Sequence, residues 1–348
     1  MPHRRGLSLA EFDYQLPPEL IAQRPSPERG GSRLLVVPGA DRPLEDHRFT
    51  DLPAFVAPGD LLVVNSSRVR HARFLGTRPS GAPAEVLLIH PEQGDRWVAL
   101  GRPGSALQPG KRIGIGPEVA IETVQVLDDG NRLVRFLGAS AEEAIRQFGR
   151  LPLPPYIDRA PDHLDDDRYQ TIYADREGSV AAPTAGLHFT PSLLGTLHTA
   201  GVRLGMLDLE VGPGTFKPVE VDDLAEHPMH AERFEVPEAL VQAVKEVKVA
   251  GGAVWAVGTT VVRALESAVD PKGRLQSGPG ETRLFITPGY RFKVADRMIT
   301  NFHLPRSTLL MLVSAFAGTG RIQAAYQHAV AGRYRFYSYG DAMLLLPD

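Results

Sequence analysis

The chain has 348 residues, 43% of them hydrophobic and 23% charged, with a formal net charge of −3 and no cysteine. That is enough apolar mass for a sizeable core and, as a first expectation, for two units of ordinary size. It excludes disulfides, a thiolate nucleophile and a sulfur-built zinc site, and it argues against a protein that coats nucleic acid indiscriminately, which needs a broad positive field.

Positive charge is nearly all arginine, 32 residues against six lysines, a bias that suits bidentate phosphate contacts and that genomic base composition also produces. Met1 to Tyr14 carries Arg4 and Arg5 but no apolar core, and the longest apolar run, around Leu309 to Val313, is far too short to cross a bilayer. A cytoplasmic protein without membrane contact is expected.

In chain order, Phe12-Asp13-Tyr14 and Leu16 to Ile21 lead through a Pro-Gly loop bearing Arg24, Arg29 and Arg33 to a strand, Leu34 to Val37. The loop reads as a solvated surface turn unless other arginines converge on it. A second apolar strand, Leu61 to Val64, opens into Asn65-Ser66-Ser67-Arg68-Val69-Arg70-His71-Ala72-Arg73. Ligands bind at such strand ends in open α/β sheets. Phosphate binding by Arg68, Arg70, Arg73 and Arg78 and a merely soluble edge both stand open.

From Phe74 to Gly138 the texture changes to short β-type runs separated by turns such as Gln93-Gly94-Asp95 and Asp129-Gly130-Asn131, the spacing of a small antiparallel barrel. Ser140 and Glu143 form a capping-box pattern that starts a helix ending near Gly149. Leu151 to Ile157 is a proline-rich extended linker.

Gly178 to Thr190 follows, the stretch the chain is organised around. Its small residues leave backbone groups open to a bound molecule, and Pro183 stiffens the path. A tight buried turn is the competing reading. Thr190-Pro191 then caps a helix over 192–200. After it come a strand over 202–211, the turn Gly212-Pro213-Gly214-Thr215-Phe216, His227 to His230, a strand around 233–236, a helix over 237–250, a strand over 253–257, a helix over 261–269 and a strand over 282–286. A loop to Thr300-Asn301-Phe302-His303, two helices and Tyr334 to Asp341 finish the chain. This order predicts a mixed α/β (α+β) architecture: a core unit, 1–72 with 152–348, holding a large mixed sheet flanked by helices, and an inserted β-barrel unit, 73–151.

Several residues have the chemistry of a site. Gly258-Thr259-Thr260 lies where a strand feeds a helix, whose free N–H groups favour an anion; an ordinary N-cap turn is the alternative. Arg263 and Glu266, three apart, have an i, i+3 ion pair as their default. His188, His227, His230 and His303 sit in loops beside Gly or Pro, a placement that suits proton transfer or hydrogen bonding better than metal ligation, so no metal is expected. Phe189, Phe216 and Tyr173 offer stacking surfaces, or are core aromatics.

Taken together, Phe12-Asp13-Tyr14, Asn65 to Val69, Tyr169 to Ala174, Ser179 to Phe189, Val211 to Phe216, His227 to Glu232, Ala256 to Ser267, Ile299 to Phe316 and Tyr334 to Met343 closely resemble the S-adenosylmethionine:tRNA ribosyltransferase-isomerases of queuosine biosynthesis. The resemblance spans nearly the whole chain. It implies transfer and isomerisation of the ribosyl part of S-adenosylmethionine onto 7-aminomethyl-7-deazaguanine at the wobble position of a tRNA anticodon, giving epoxyqueuosine-tRNA with release of adenine and methionine. S-adenosylmethionine is then a consumed substrate and no resident cofactor is implied.

On residue chemistry within the matched motifs, His188 or His230 is expected to move the proton. Thr184 and Phe189 are expected to hold the nucleoside and Gly258, Thr259 and Thr260 the methionine carboxylate, with Gly186, Gly214, Phe216 and Arg263 also expected to contact substrate and Asn65, Arg68 and Arg70 the RNA. No long heptad or broad exposed apolar stripe demands assembly, so a monomer is expected. The rivals are a non-catalytic tRNA-binding module and an S-adenosylmethionine-dependent RNA methyltransferase.

Overall fold

Alternation along short apolar strands builds the frame. The computed structural model describes residues 7–39, 42–216, 224, 227 and 229–347. In it, β1 (Arg33–Pro38) pairs with β2 (Glu45–Arg48), and β3 (Leu61–Asn65) is buried throughout. Leu35, Val37, Leu61 and Val63 turn to one hydrophobic cluster, while Leu34, Val36, Leu62 and Val64 turn to another. A strand covered on both faces is apolar at every position, which is why these runs look continuous rather than alternating.

β4 (Arg68–Val69) leads into six antiparallel strands: β5 (Arg73–Thr77), β6 (Pro83–Glu92), β7 (Arg96–Arg102), β8 (Arg112–Gly116), β9 (Val119–Val126) and β10 (Arg132–Leu137). They close into a barrel in the order β10-β7-β6-β5-β8-β9. Phe74, Val86, Trp97, Val134 and Phe136 fill it, and α1 (Ala141–Phe148) packs Ala141 and Ala144 against that filling. The capping box at Ser140 and Glu143 is formed as expected. Arg150 bridges back to Arg73, so the chain leaves the barrel where it entered.

The returning chain forms α2 (His163–Arg168), β11 (Glu177–Ser179), α3 (Pro191–Thr199), β12 (Arg203–Leu209), β13 (Glu232–Val236), α4 (Glu238–Val249), β14 (Val254–Val257), α5 (Thr259–Ser267), β15 (Gly278–Thr282), β16 (Arg297–Asn301), α6 (Thr308–Ala317), α7 (Thr319–Ala331) and β17 (Ala342–Leu346). The large sheet has nine strands, in the order β15-β13-β12-β3-β14-β16-β17-β1-β2. β12, β3, β14 and β16 run parallel, and β17 opposes β16 while lying parallel to β1. Helices α4 to α7 cover one face. The short turn at Phe49 and α3 cover the other. The mixed sheet flanked by helices is the architecture that the order of elements implied.

Two expectations about elements need correction. The strand placed over 282–286 is β15, four residues earlier, because Phe285 and Ile286 leave the sheet to fill the core as loop residues. β16 and β17, read as loop or left unassigned, lie inside the sheet. The Pro-Gly loop is a surface turn as expected, with Arg24, Pro27 and Glu28 exposed, but it is not a convergence of free arginines: Arg24 pairs with Asp162 at 2.7 Å, Arg29 donates to the Gln170 and Asp167 carbonyls, and Arg33 donates to the Gly332 carbonyl. Among the described residues no helix is long and apolar enough to cross a membrane.

Candidate active site

The carboxyl ends of β12, β3, β14 and β16 meet at one edge of the sheet, and side chains from their loops knit that edge together. Asn65, fully buried, donates through Nδ2 to the Leu209 carbonyl and accepts through Oδ1 from the Leu209 and Ser67 amides. Expected to touch RNA, it instead spends its amide on the backbone of the neighbouring strand end. Ser179 adds a second tie, bonding the Ser67 hydroxyl at 2.7 Å and accepting from the Val211 amide.

Above this edge lies a cavity of about 50 Å³. Thr184, Gly258, Thr259 and Thr260 all line it, so the glycine- and threonine-rich stretches do converge. Gly258, at φ +95°, turns β14 directly into α5 in a conformation that disfavours any side chain. Among the described residues no side chain caps α5, and the amides of its first turn have no intrahelical acceptor. With the helix dipole they make this wall attractive to a carboxylate. The Thr260 hydroxyl is buried and has no partner among the described residues.

His303, one of the four loop histidines singled out in the sequence but not among the residues expected to hold the substrate, shares this cavity. Its Nε2 meets the Thr300 hydroxyl at 2.8 Å, its amide donates to Tyr326 Oη, and its carbonyl accepts from Tyr14 Oη. The signals for it were its place in a loop beside proline and in the segment Thr300 to Pro305, within one of the resembling motifs.

His188, Gly186 and Phe189 fall elsewhere. The stretch Thr184 to His188 is a 3₁₀ turn, buried from Ala185 onward, with Ala182 to Ala185 lining the cavity. Phe189 is fully buried and meets Phe49 edge-on at 5.0 Å, so it stacks in the core rather than on a ligand. Gly186 faces Tyr173: a Cβ there would lie 2.3 Å from the Tyr173 hydroxyl, so this glycine serves close packing. His188 stands one layer behind the cavity, with Nδ1 on Ser32 Oγ at 2.8 Å and Nε2 on Asn301 Nδ2 at 3.2 Å. It does not line the cavity.

Burial pushes the His188 imidazole down from 6.5 to about 4 and that of His303 down to about 3. Both rings protonate in the unfolded chain below pH 6.5 yet stay neutral in the fold, so unfolding takes up protons. Their stabilising effect is complete above pH 6.5 and declines as the pH falls toward 4. At about pH 4.5 each ring is expected to cost roughly 2–3 kcal/mol relative to neutrality. Urea unfolding at the two pH values measures this, and equal unfolding free energies would contradict it.

A second cavity shares Leu309 with the first and is lined by Gly214, His230, Glu232 and Arg263. His230 is exposed to it, and a Cβ on Gly214 would lie 2.5 Å from the His230 ring, so only glycine leaves that ring its place. Arg263, 5% exposed, pairs with Glu232 and donates through Nε to the Leu284 carbonyl; its Nη2 has no partner among the described residues. The i, i+3 pair with Glu266 is not formed. Glu266 instead accepts from the Lys293, Val294 and Ala295 amides, fastening the loop before β16. The side chain of Phe216 lies outside the described residues.

Of the expected RNA contacts, Arg68 is exposed on β4. Arg70 is half-buried: its guanidinium sits 4.9 Å from the centre of the Trp97 ring and donates to the Glu177 carbonyl, clamping barrel to core. That use replaces the phosphate contact expected of it. A groove of about 570 Å³ runs between barrel and core, walled by Leu153 and Pro154 and by the exposed Arg102 and Arg150. Val180 and Pro213, neighbours in sequence of cavity-lining residues, also line it.

Residues 9–345 match the family model described as "Queuosine biosynthesis protein". A protein of Azoarcus sp. (strain BH72) named S-adenosylmethionine:tRNA ribosyltransferase-isomerase is 51% identical over 339 residues, 97% of each chain. A relative of the same name from Thiobacillus denitrificans is 51% identical over 340 residues, again 97% of each chain. The crystal structure of the S-adenosylmethionine tRNA ribosyltransferase from Thermotoga maritima aligns with a TM-score of 0.55 at 36% identity, covering 97% of this chain and all of that one.

Proposed function

Because the chain belongs to the queuosine biosynthesis family of S-adenosylmethionine:tRNA ribosyltransferase-isomerases, we propose that its two adjoining cavities form one active site, with the methionine end of S-adenosylmethionine at α5 and the reacting nucleoside beside His230 and Arg263. The protein is an enzyme that transfers and isomerises the ribosyl group of S-adenosylmethionine in queuosine biosynthesis. Its acceptor is the aminomethyl nitrogen of 7-aminomethyl-7-deazaguanine at the tRNA wobble position, and adenine and methionine leave. S-adenosylmethionine is consumed, no resident cofactor is needed, and the enzyme acts as a monomer.

The observation that carries this reading is the convergence of Thr184 with Gly258, Thr259 and Thr260 at an uncapped helix start. There the amides of α5 receive the carboxylate. The chemistry then sets three demands. A base removes a proton from the ribose carbon beside the sulfonium, the departing adenine takes a donated hydrogen bond, and the attacking amine is neutral. His230, exposed at the second cavity, is the base. The free Nη2 of Arg263 is the donor for adenine. His303, held neutral, offers its Nδ1 to the substrate.

The barrel unit, 73–151, inserted in a core made of 1–72 and 152–348, forms with that core a groove for the anticodon arm. Arg68, Arg102 and Arg150 meet its phosphates. The deciding experiment incubates the protein with tRNA bearing the aminomethyl base and S-adenosylmethionine labelled separately in ribose and methyl. Free adenine with ribose label in RNA is expected. Methyl label in RNA would make it a methyltransferase, and absence of adenine would leave a binding module.

A further inference from the structure

Asn301 stands at the end of β16, 2% exposed, and lines the α5 cavity. Its Nδ2 lies 3.0 Å from the Tyr337 carbonyl and 3.2 Å from His188 Nε2. A carbonyl only accepts, so the amide cannot be turned the other way round, and both of its N–H groups are committed. His188 Nε2 must then accept, which puts the ring proton on Nδ1, where Ser32 Oγ takes it at 2.8 Å. Burial keeps that ring neutral, as this tautomer requires. The remaining polar atom of the amide, Oδ1, is buried and has no partner among the described residues. Leaving a buried acceptor unsatisfied is costly, so a donor from a ligand belongs there.

The cavity decides which donor. Among the described residues its lining holds no Asp, Glu, Lys or Arg, and the one imidazole there, that of His303, is kept uncharged by burial. At about 50 Å³ it is far smaller than the roughly 300 Å³ at which pockets for whole small ligands begin. A small group of zero net charge with separated charges fits: its anion goes to the α5 amides and its cation to neutral oxygens. Thr260 Oγ1, the other unpartnered atom of the wall, is a second such oxygen.

We propose that Asn301 Oδ1 accepts from the α-ammonium group of the amino-acid end of S-adenosylmethionine, and that His188 is a positioning residue whose ring locks the Asn301 amide in the accepting orientation. This rests on the reading of S-adenosylmethionine as substrate and adds the residue that recognises its amino group.

The test is a cycle between ligand and protein, read by calorimetry on the full chain with S-adenosylhomocysteine and its deaminated analogue. Asn301→Leu is expected to weaken S-adenosylhomocysteine about tenfold or more and to leave the deaminated ligand unchanged. Equal weakening of both ligands, or of neither, overturns the assignment. If Asn301→Leu does not fold, the wild-type protein decides: about tenfold weaker binding of the deaminated ligand supports it, and binding within about twofold overturns it. His188→Phe, which keeps an aromatic ring against Phe49, whose centroid lies 4.9 Å from that of His188, is expected to raise KM for S-adenosylmethionine while kcat stays within a few-fold. A fall in kcat of about a hundredfold at constant KM would make His188 a proton carrier instead. A wild-type protein that binds S-adenosylhomocysteine through its amino group but releases no adenine would sink the proposed reaction and leave this inference standing.

Discussion

Replacing Arg263 with methionine is expected to lower the free energy of unfolding by about 3–5 kcal/mol, the usual consequence of removing one partner of a buried ion pair. Methionine fills a similar volume, so the loss is electrostatic rather than a cavity effect. Glu232, 5% exposed, would keep its bond from the Gly212 amide but lose the guanidinium that neutralises it, and the Leu284 carbonyl would lose its donor. Adding Glu232→Gln to Arg263→Met is expected to recover part of the stability, because a buried carboxylate that has lost its paired guanidinium is replaced by a neutral amide. Adenine release is not expected to return with it, since the free Nη2 is absent from both variants. Urea unfolding of the two proteins, with the release assay alongside, checks both statements. A single variant as stable as the wild type would show that the pair does not hold β13 to α5.

The second large effect concerns His230. His230→Gln is expected to reduce kcat by about 10²–10⁴, the range that a positioned acid or base contributes, with KM for S-adenosylmethionine within a few-fold. The separation arises because His230 lines the second cavity while the amino-acid end is held by α5 in the first. Steady-state adenine release measures it. A kcat within a few-fold of wild type would move the base elsewhere, with His303 the next imidazole in reach of the substrate.

How much of this was legible in the sequence follows from what each feature depends on. β1, β3 and β14 announce themselves because a strand buried on both faces must be apolar at every step. The start of α5 was legible too, as was its meeting with Thr184, because glycine and threonine at a strand end are required by the turn itself. β2 was not: its Glu-Asp-His-Arg sequence is that of an exposed edge and carries no hydrophobic signal. β17, Ala342 to Leu346, follows a segment crowded with aromatics, where period gives no boundary.

The site divides in the same way. Asn65 and Asn301 are both asparagines at strand ends, and nothing local separates the one that ties backbone from the one with an open acceptor. His188 and Thr184 lie within one turn, yet only the fold sets one behind the cavity and the other on its wall. Arg263 pairs with Glu232, 31 residues away, rather than with the helical neighbour that spacing favoured. Local rules rank local partners and cannot weigh a distant carboxylate that shares the same burial.

All of these assignments require the α5 start to be the binding wall, and the most direct test is a crystal structure of the protein with a non-reactive amino analogue of S-adenosylmethionine. The expected result is a ligand carboxylate on the amides of Thr259 and Thr260, its amino group within hydrogen-bond reach of Asn301 Oδ1, and its adenine toward Arg263. A ligand bound instead in the groove beside Arg102 and Pro154, with the α5 cavity empty, would contradict it.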